Sequence, residues 1–179
     1  MTLKTLHLWL TSIFIGILLG FFGATAAHYF RAGIYFIDEV SKNYLSNTPN
    51  FIVLFCSLSV AAVLINFIKN KFQIARWQGP QDTIYAAHRV DNELDVKVGI
   101  ASTLAAFFSA AGGASVGQYG PLVHFGATLG ALLKATLKLR ITIDIIIGCG
   151  VAAAISAGFN APLAGILFAH EAILRHFSM

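Results

Sequence analysis

Two runs of this sequence hold residue types at spacings that could do chemistry. The first is Gly112-Gly113-Ala114-Ser115-Val116-Gly117-Gln118-Tyr119-Gly120-Pro121. Glycine lets backbone come close to a ligand, and proline in the first turn of a helix gives up only an N–H that has no intrahelical partner there. A helix starting at Pro121 and running through Leu122, Val123, His124, Phe125 and Gly126 would present free N–H groups and the positive end of its dipole to an anion. The same residues, continued by Gly126-Ala127-Thr128-Leu129-Gly130, also suit a tight crossing of two helices. The second run is Ser156-Ala157-Gly158-Phe159-Asn160-Ala161-Pro162-Leu163-Ala164-Gly165-Ile166-Leu167-Phe168. Asn160 is placed to cap a helix beginning at Ala161-Pro162, a second helix start in apolar surroundings. A plain turn between two spans is the other reading of that run.

The elements that must position these runs follow from composition. Of 179 residues, 57% are apolar or aromatic and 11% are charged. A soluble domain carries about 25% charged residues because its surface must be wetted, so an all-α integral membrane protein is expected. This much apolar surface excludes disorder. Two cysteines, Cys56 and Cys149, exclude a disulfide scaffold and read as small packing residues inside spans. The 12 basic residues form no dense tract, which argues against nucleic acid as a partner; the apolar composition leaves the lipid bilayer as the expected one.

Four blocks lack Asp, Glu, Lys and Arg: 5–30, 43–68, 98–133 and 145–170. A bilayer core takes roughly 20 apolar residues of helix. The first two blocks each predict one plain span. Glycine and proline break the third at 112–121 and the fourth at 158–162, and broken segments in lipid mark transport sites, because their freed backbone groups need protein or water. The predicted spans are about 7–37, 49–70, 97–115, 121–139, 142–157 and 161–175, in a single membrane domain over 1–179. Lys4, the apolar stretch Leu8 to Phe22 and Ala24-Thr25-Ala26 would also suit a signal peptide, although apolar character running on to Ile37 suits a long tilted helix better. Lys4, then Lys69, Lys71 and Arg76, then Lys134, Lys138 and Arg140, then Arg175 lie where the positive-inside bias puts cytoplasm. That orientation has a cytoplasmic N-terminus, in a cell (inner) membrane. Pro80 and Asp82 resemble a helix start, with a short helix to about Ala87.

The run Gly158 to Phe168 resembles the Phe-Asn-Ala-Pro-Leu-Ala-Gly-Ile-Leu-Phe segment of the CLC chloride channel and chloride–proton antiporter family. Gly117-Gln118-Tyr119-Gly120-Pro121, followed by Gly126 and Gly130, resembles that family's Gly-Arg/Lys-Glu-Gly-Pro segment, and Trp77-Gln78-Gly79-Pro80 stands at the place of its Gly-Ser-Gly-Ile-Pro segment. The resemblance implies the N-terminal half of an inverted-repeat fold of tilted, broken and re-entrant helices. In that fold helix N-termini converge on a chloride ion near mid-membrane, and two protomers form a homodimer. It places Gly117, Gln118, Tyr119, Gly120, Pro121, Trp77, Gln78, Gly79 and Pro80 around the anion, and Phe159, Asn160, Ala161 and Pro162 at a supporting helix start. The second half's Gly-x-Phe-x-Pro segment does not follow Phe168, so half of a transport domain is expected, a fragment or a truncated product, completed by a second half or by a second copy.

The departures are specific. The family's gating glutamate falls on Tyr119, a neutral group near pH 7 that can donate a hydrogen bond but cannot shuttle protons as a carboxylate does. The preceding cation falls on Gln118, the chloride-coordinating serine falls near Trp77, and the internal proton glutamate falls on Ala172. Glu171 stands one position earlier, as an intracellular acid or, four residues from Arg175, as a helical ion pair. The expected function is passive, uncoupled chloride transport, with no enzyme activity, no cofactor and no metal. The alternatives are a non-conducting or half-subunit protein that assembles with a second half, and the fluoride-exporting branch, which keeps the glutamate absent here. His124 and His170 read as packing or hydrogen-bonded residues. His170, Glu171 and His176 miss zinc-protease spacing, and Gly148-Cys149-Gly150 only imitates a dinucleotide turn, since no soluble sheet accompanies it.

Overall fold

The computed structural model describes residues 3–44, 48–88, 94–117, 119–138 and 141–174. All of their regular structure is helical: α1 (Leu3–Tyr44), α2 (Asn50–Phe72), α3 (Pro80–His88), α4 (Val96–Ala111), α5 (Tyr119–Leu137), α6 (Ile143–Phe159) and α7 (Pro162–Phe168), which continues as a π-helical stretch over Ala169–Leu174.

Helix α1 holds 42 residues without a proline. At 1.5 Å per residue it is about 63 Å long, roughly twice the hydrocarbon thickness of a bilayer. Its buried positions Ile15, Leu19, Gly23, Ala27 and Phe30 recur every three or four residues and form one stripe. Gly23 on that stripe lies against Ala153 of α6. The other faces carry exposed Phe14, Ile17, Phe21, Tyr29 and Phe36. Helix α2 is still more open: Phe51 and Phe55 are 72% and 73% exposed, and only Ala61 and Ile68 are buried. Apolar area of this extent is stable against lipid and would aggregate in water. Helices α1 and α2 are each long and apolar enough to cross a membrane.

Helix α6 is the centre of the bundle, with α1, α3, α5 and α7 packed around it. It has no polar face to show, and Ile146, Ile147, Gly148, Gly150, Val151, Ala154, Ile155 and Gly158 are all buried. It crosses α5 where Gly126 and Gly150 meet backbone to backbone, one turn from Gly130 against the carbonyl oxygen of Ile146. The glycine-rich run is therefore a tight crossing as well as a helix start, at successive turns of one helix. Val123, Ala127 and Ala131 of α5 close this core with Ile147, Val151 and Ile155, and Ile173 covers its end.

Both broken blocks fold into separate helices. Helix α4 is capped by the Asp95 carboxylate, which accepts from the N–H groups of Lys97 (2.9 Å) and Val98 (3.2 Å). It stops at Ala111, short of the expected 115, because Gly113 takes φ +94° and turns the chain away. At the fourth block α6 ends at Phe159 and α7 folds back beside it, with Gly165 against Ser156. Cys56 and Cys149 are exposed in this chain rather than fully packed inside it.

Candidate functional site

Helix α3 begins at Gly79-Pro80. Asp82, three residues in, turns back to accept the Gly79 N–H (2.8 Å), which is half of a capping box. Its other oxygen pairs with Arg76. This helix start thus already holds a carboxylate, and the charge of that carboxylate is neutralised from the side. Helix α5 begins at Tyr119, two residues before the expected Pro121. Pro121 then sits at the third helical position and still breaks no bond, since the first four N–H groups of a helix have no partner within it. The two helix starts meet: a Cβ on Gly120 would lie 3.5 Å from Pro80 Cγ. Gly117, at φ +67°, makes the turn that brings the chain into α5. Gln118 lies outside the described residues.

Two side-chain bonds hold this junction. His124, 1% exposed, shares a hydrogen bond through Nδ1 with Thr83 Oγ1 (3.1 Å), tying α5 to α3. The Gln78 N–H donates to Ser102 Oγ of α4 (3.0 Å). Among the described residues, Gln78 Oε1 and His124 Nε2 are enclosed without a partner, so the junction keeps one acceptor and one ring nitrogen unspent. Trp77 is not turned into it. Its ring packs with Ile68, Ile74 and Ala101, and the hydroxyl beside this segment is supplied instead by Ser102, buried on α4.

Tyr119 stacks on Phe159, with ring centroids 3.9 Å apart and planes 15° from parallel. Its ring also lies over Gly158, where an added Cβ would come within 3.2 Å of it. The second motif therefore reaches the first through Phe159 and Gly158. Asn160 does not cap α7. It takes the left-handed conformation (φ 54°) and ends α6, while Ala161 precedes α7 without a side-chain cap. Asparagine tolerates that conformation better than other non-glycine residues, and the reversal of the chain requires it. Pro162 is the first residue of α7, as the sequence suggests. Glu171 is exposed on the π-helical stretch, far along α7 from the junction, and its expected partner Arg175 lies outside the described residues.

Sequence reasoning missed three residues here: Ser102, Thr83 and Arg31. Arg31 of α1 donates to the carbonyl oxygens of Gly158 (3.2 Å) and Ala157 (3.4 Å) at the end of α6. The available signal was that Arg31 is the sole charged residue between Lys4 and Asp38, because charges within apolar spans are costly and are kept for a purpose. Ser102 and Thr83 gave no signal of their own, as hydroxyls are common in apolar helices.

A bundle of apolar helices, two of them of spanning length, with broken segments whose ends meet inside it, defines an integral membrane protein. The family model for the voltage gated chloride channel matches residues 61–179, two thirds of the chain, and the chain belongs to that family, the CLC family. It is 27% identical over 112 residues to the voltage-gated ClC-type chloride channel ClcB of Yersinia pseudotuberculosis, and equally to that of Yersinia pestis. The match takes in 63% of this chain and 27% of each relative. Helix α1 and the first half of α2 precede the family match.

Proposed function

We propose that this chain forms part of an anion pathway across a membrane, with chloride as the transported ion and no proton coupling. The observation that carries the reading is the meeting of the α3 and α5 starts at Gly79-Pro80 and Tyr119-Gly120, beneath the Tyr119–Phe159 stack. The first N–H groups of α5 lack helical partners and lie at the positive end of its dipole, in apolar surroundings that strengthen their pull on an anion. The Ser102 hydroxyl, beside the Gln78 N–H, is a further polar group at the same junction. Membership of the family and the named activity of the Yersinia relatives support chloride.

Tyr119 decides the mode. A phenol donates a hydrogen bond where a carboxylate can only accept, so it does not stand in for chloride as a carboxylate gate would. The ring acts instead as a neutral flap over the junction, held by its stack on Phe159. The N-terminus and the Lys69 end of α2 lie in the cytoplasm by charge bias. The chain works as a homodimer or with a second half that completes the pathway.

The test is chloride efflux from vesicles containing the purified chain, recorded together with luminal pH. Efflux at constant luminal pH is expected. Efflux with a stoichiometric pH change would overturn the uncoupled reading. No efflux from this chain, with efflux once a second CLC half is co-expressed, would overturn the homodimer in favour of a two-part pathway. Native mass spectrometry of the same preparation distinguishes the two assemblies directly.

A further inference from the structure

The cation missing at Gln118 leaves open what attracts an anion to this junction. The geometry points to Arg31 of α1 as the charged residue that draws the anion to the Tyr119–Phe159 stack and sets its apparent affinity, an inference that rests on the anion-pathway reading above.

Arg31 is half-buried, and its guanidinium donates to the carbonyl oxygens of Ala157 and Gly158. Gly158 is the residue on which the Tyr119 ring lies, and Phe159, the next residue, is Tyr119's stacking partner. The positive charge is therefore attached to the backbone that carries the flap. Both bonds, at 3.2 and 3.4 Å, are at or beyond the long end of the usual range. A guanidinium has five N–H donors, so donors remain beyond the two that these bonds use. No carboxylate neutralises it: among the described residues the ion pairs are Lys42–Asp38 and Arg76–Asp82. The negative end of the α6 dipole offsets about half a charge at most. A net positive charge therefore remains, partly exposed, at the exposed end of α6, where Phe159 and Asn160 face outward.

A guanidinium with spare donors in partly apolar surroundings attracts a small anion by charge and by hydrogen bonds, and it concentrates that anion at a neighbouring cleft. The acid at the start of α3, Asp82, is paired with Arg76 rather than with Arg31.

The test compares wild type with R31Q and R31K in two measurements: chloride titration by calorimetry on the solubilised chain, and efflux against chloride concentration in vesicles. R31Q is expected to raise the half-saturating chloride concentration about 5- to 10-fold, at the low end of electrostatic steering because the site is partly exposed. R31K is expected to stay within about 3-fold of wild type. Adding impermeant gluconate salt should weaken chloride uptake in wild type and much less in R31Q. R31M fills the same space without charge and replaces R31Q if that variant does not fold. A purely structural cap on α6 would lower the melting temperature of R31Q and leave half-saturation and salt dependence unmoved, and that result overturns the inference while the pathway reading stands. Wild type that neither binds nor passes chloride overturns both.

Discussion

The crossing of α5 and α6 can be tested by a single methyl group. In Gly126→Ala the new Cβ would overlap the carbonyl oxygen of Gly150, lie 2.9 Å from the carbonyl carbon of Gly150 and 2.8 Å from Ala154 Cβ. Carbon atoms rest at about 3.5–4.0 Å, so the two helices must part by about 1 Å. Two of these obstacles are backbone, which cannot swing aside as a flexible side chain does. Overpacking of this kind costs about 1–3 kcal/mol, and the rigid neighbours place it near the upper value. Alanine returns about 1 kcal/mol through its better helix propensity. The net loss is then about 2 kcal/mol, or roughly 4–8 °C in melting temperature by the scaling for chains of this size. Gly20→Ala is the control, because nothing lies within 4 Å of its Cβ position; it should gain about 0.5–1 kcal/mol. The assay is thermal melting in detergent followed by near-UV circular dichroism. Because Tyr119 starts the same helix as Gly126, parting the helices should also move the α5 start from Pro80 and lower chloride efflux. If Gly126→Ala melts at or above wild type, the helices do not cross backbone to backbone, and the account of how α5 is aimed at the junction fails.

Thr83→Val removes the partner of the buried His124 Nδ1, so stability should fall by about 1–3 kcal/mol in denaturant titration; a change under about 0.5 kcal/mol would show that α3 is held by other means. Asn160→Val forces a β-branched residue into the left-handed conformation and should cost about 1–3 kcal/mol, whereas Asn160→Gly should stay within about 0.5 kcal/mol of wild type; equal melting of the two would contradict the assigned end of α6. Tyr119→Ala removes the stack on Phe159 and should raise chloride efflux, while Tyr119→Phe keeps it and should preserve the wild-type rate within a few-fold; lower efflux in the alanine variant would show that the ring binds the anion rather than covering it.

Much of this was legible in the residues because it is local. A run such as Leu8 to Phe22 cannot be wetted, and a chain with 11% charged residues must lie in lipid. Gly112-Gly113 and Asn160-Ala161-Pro162 mark breaks because they set backbone angles within one or two residues of themselves. Even there the details shifted. Asn160 serves the helix before it rather than the one after it, and α5 starts at Tyr119 rather than Pro121, because neighbouring helices decide which of several acceptable caps is used.

What the sequence by itself determined is the solvent this protein lives in, where its helices break and which family motifs it carries and alters. Tertiary structure alone decided which of those breaks meet. Arg31 reaches Gly158 across 127 positions, Thr83 reaches His124 across 41, and Gln78 reaches Ser102 across 24. No periodicity encodes such pairs. They follow from how whole helices pack against one another, as where Gly126 and Gly150 let the backbones of α5 and α6 approach closely.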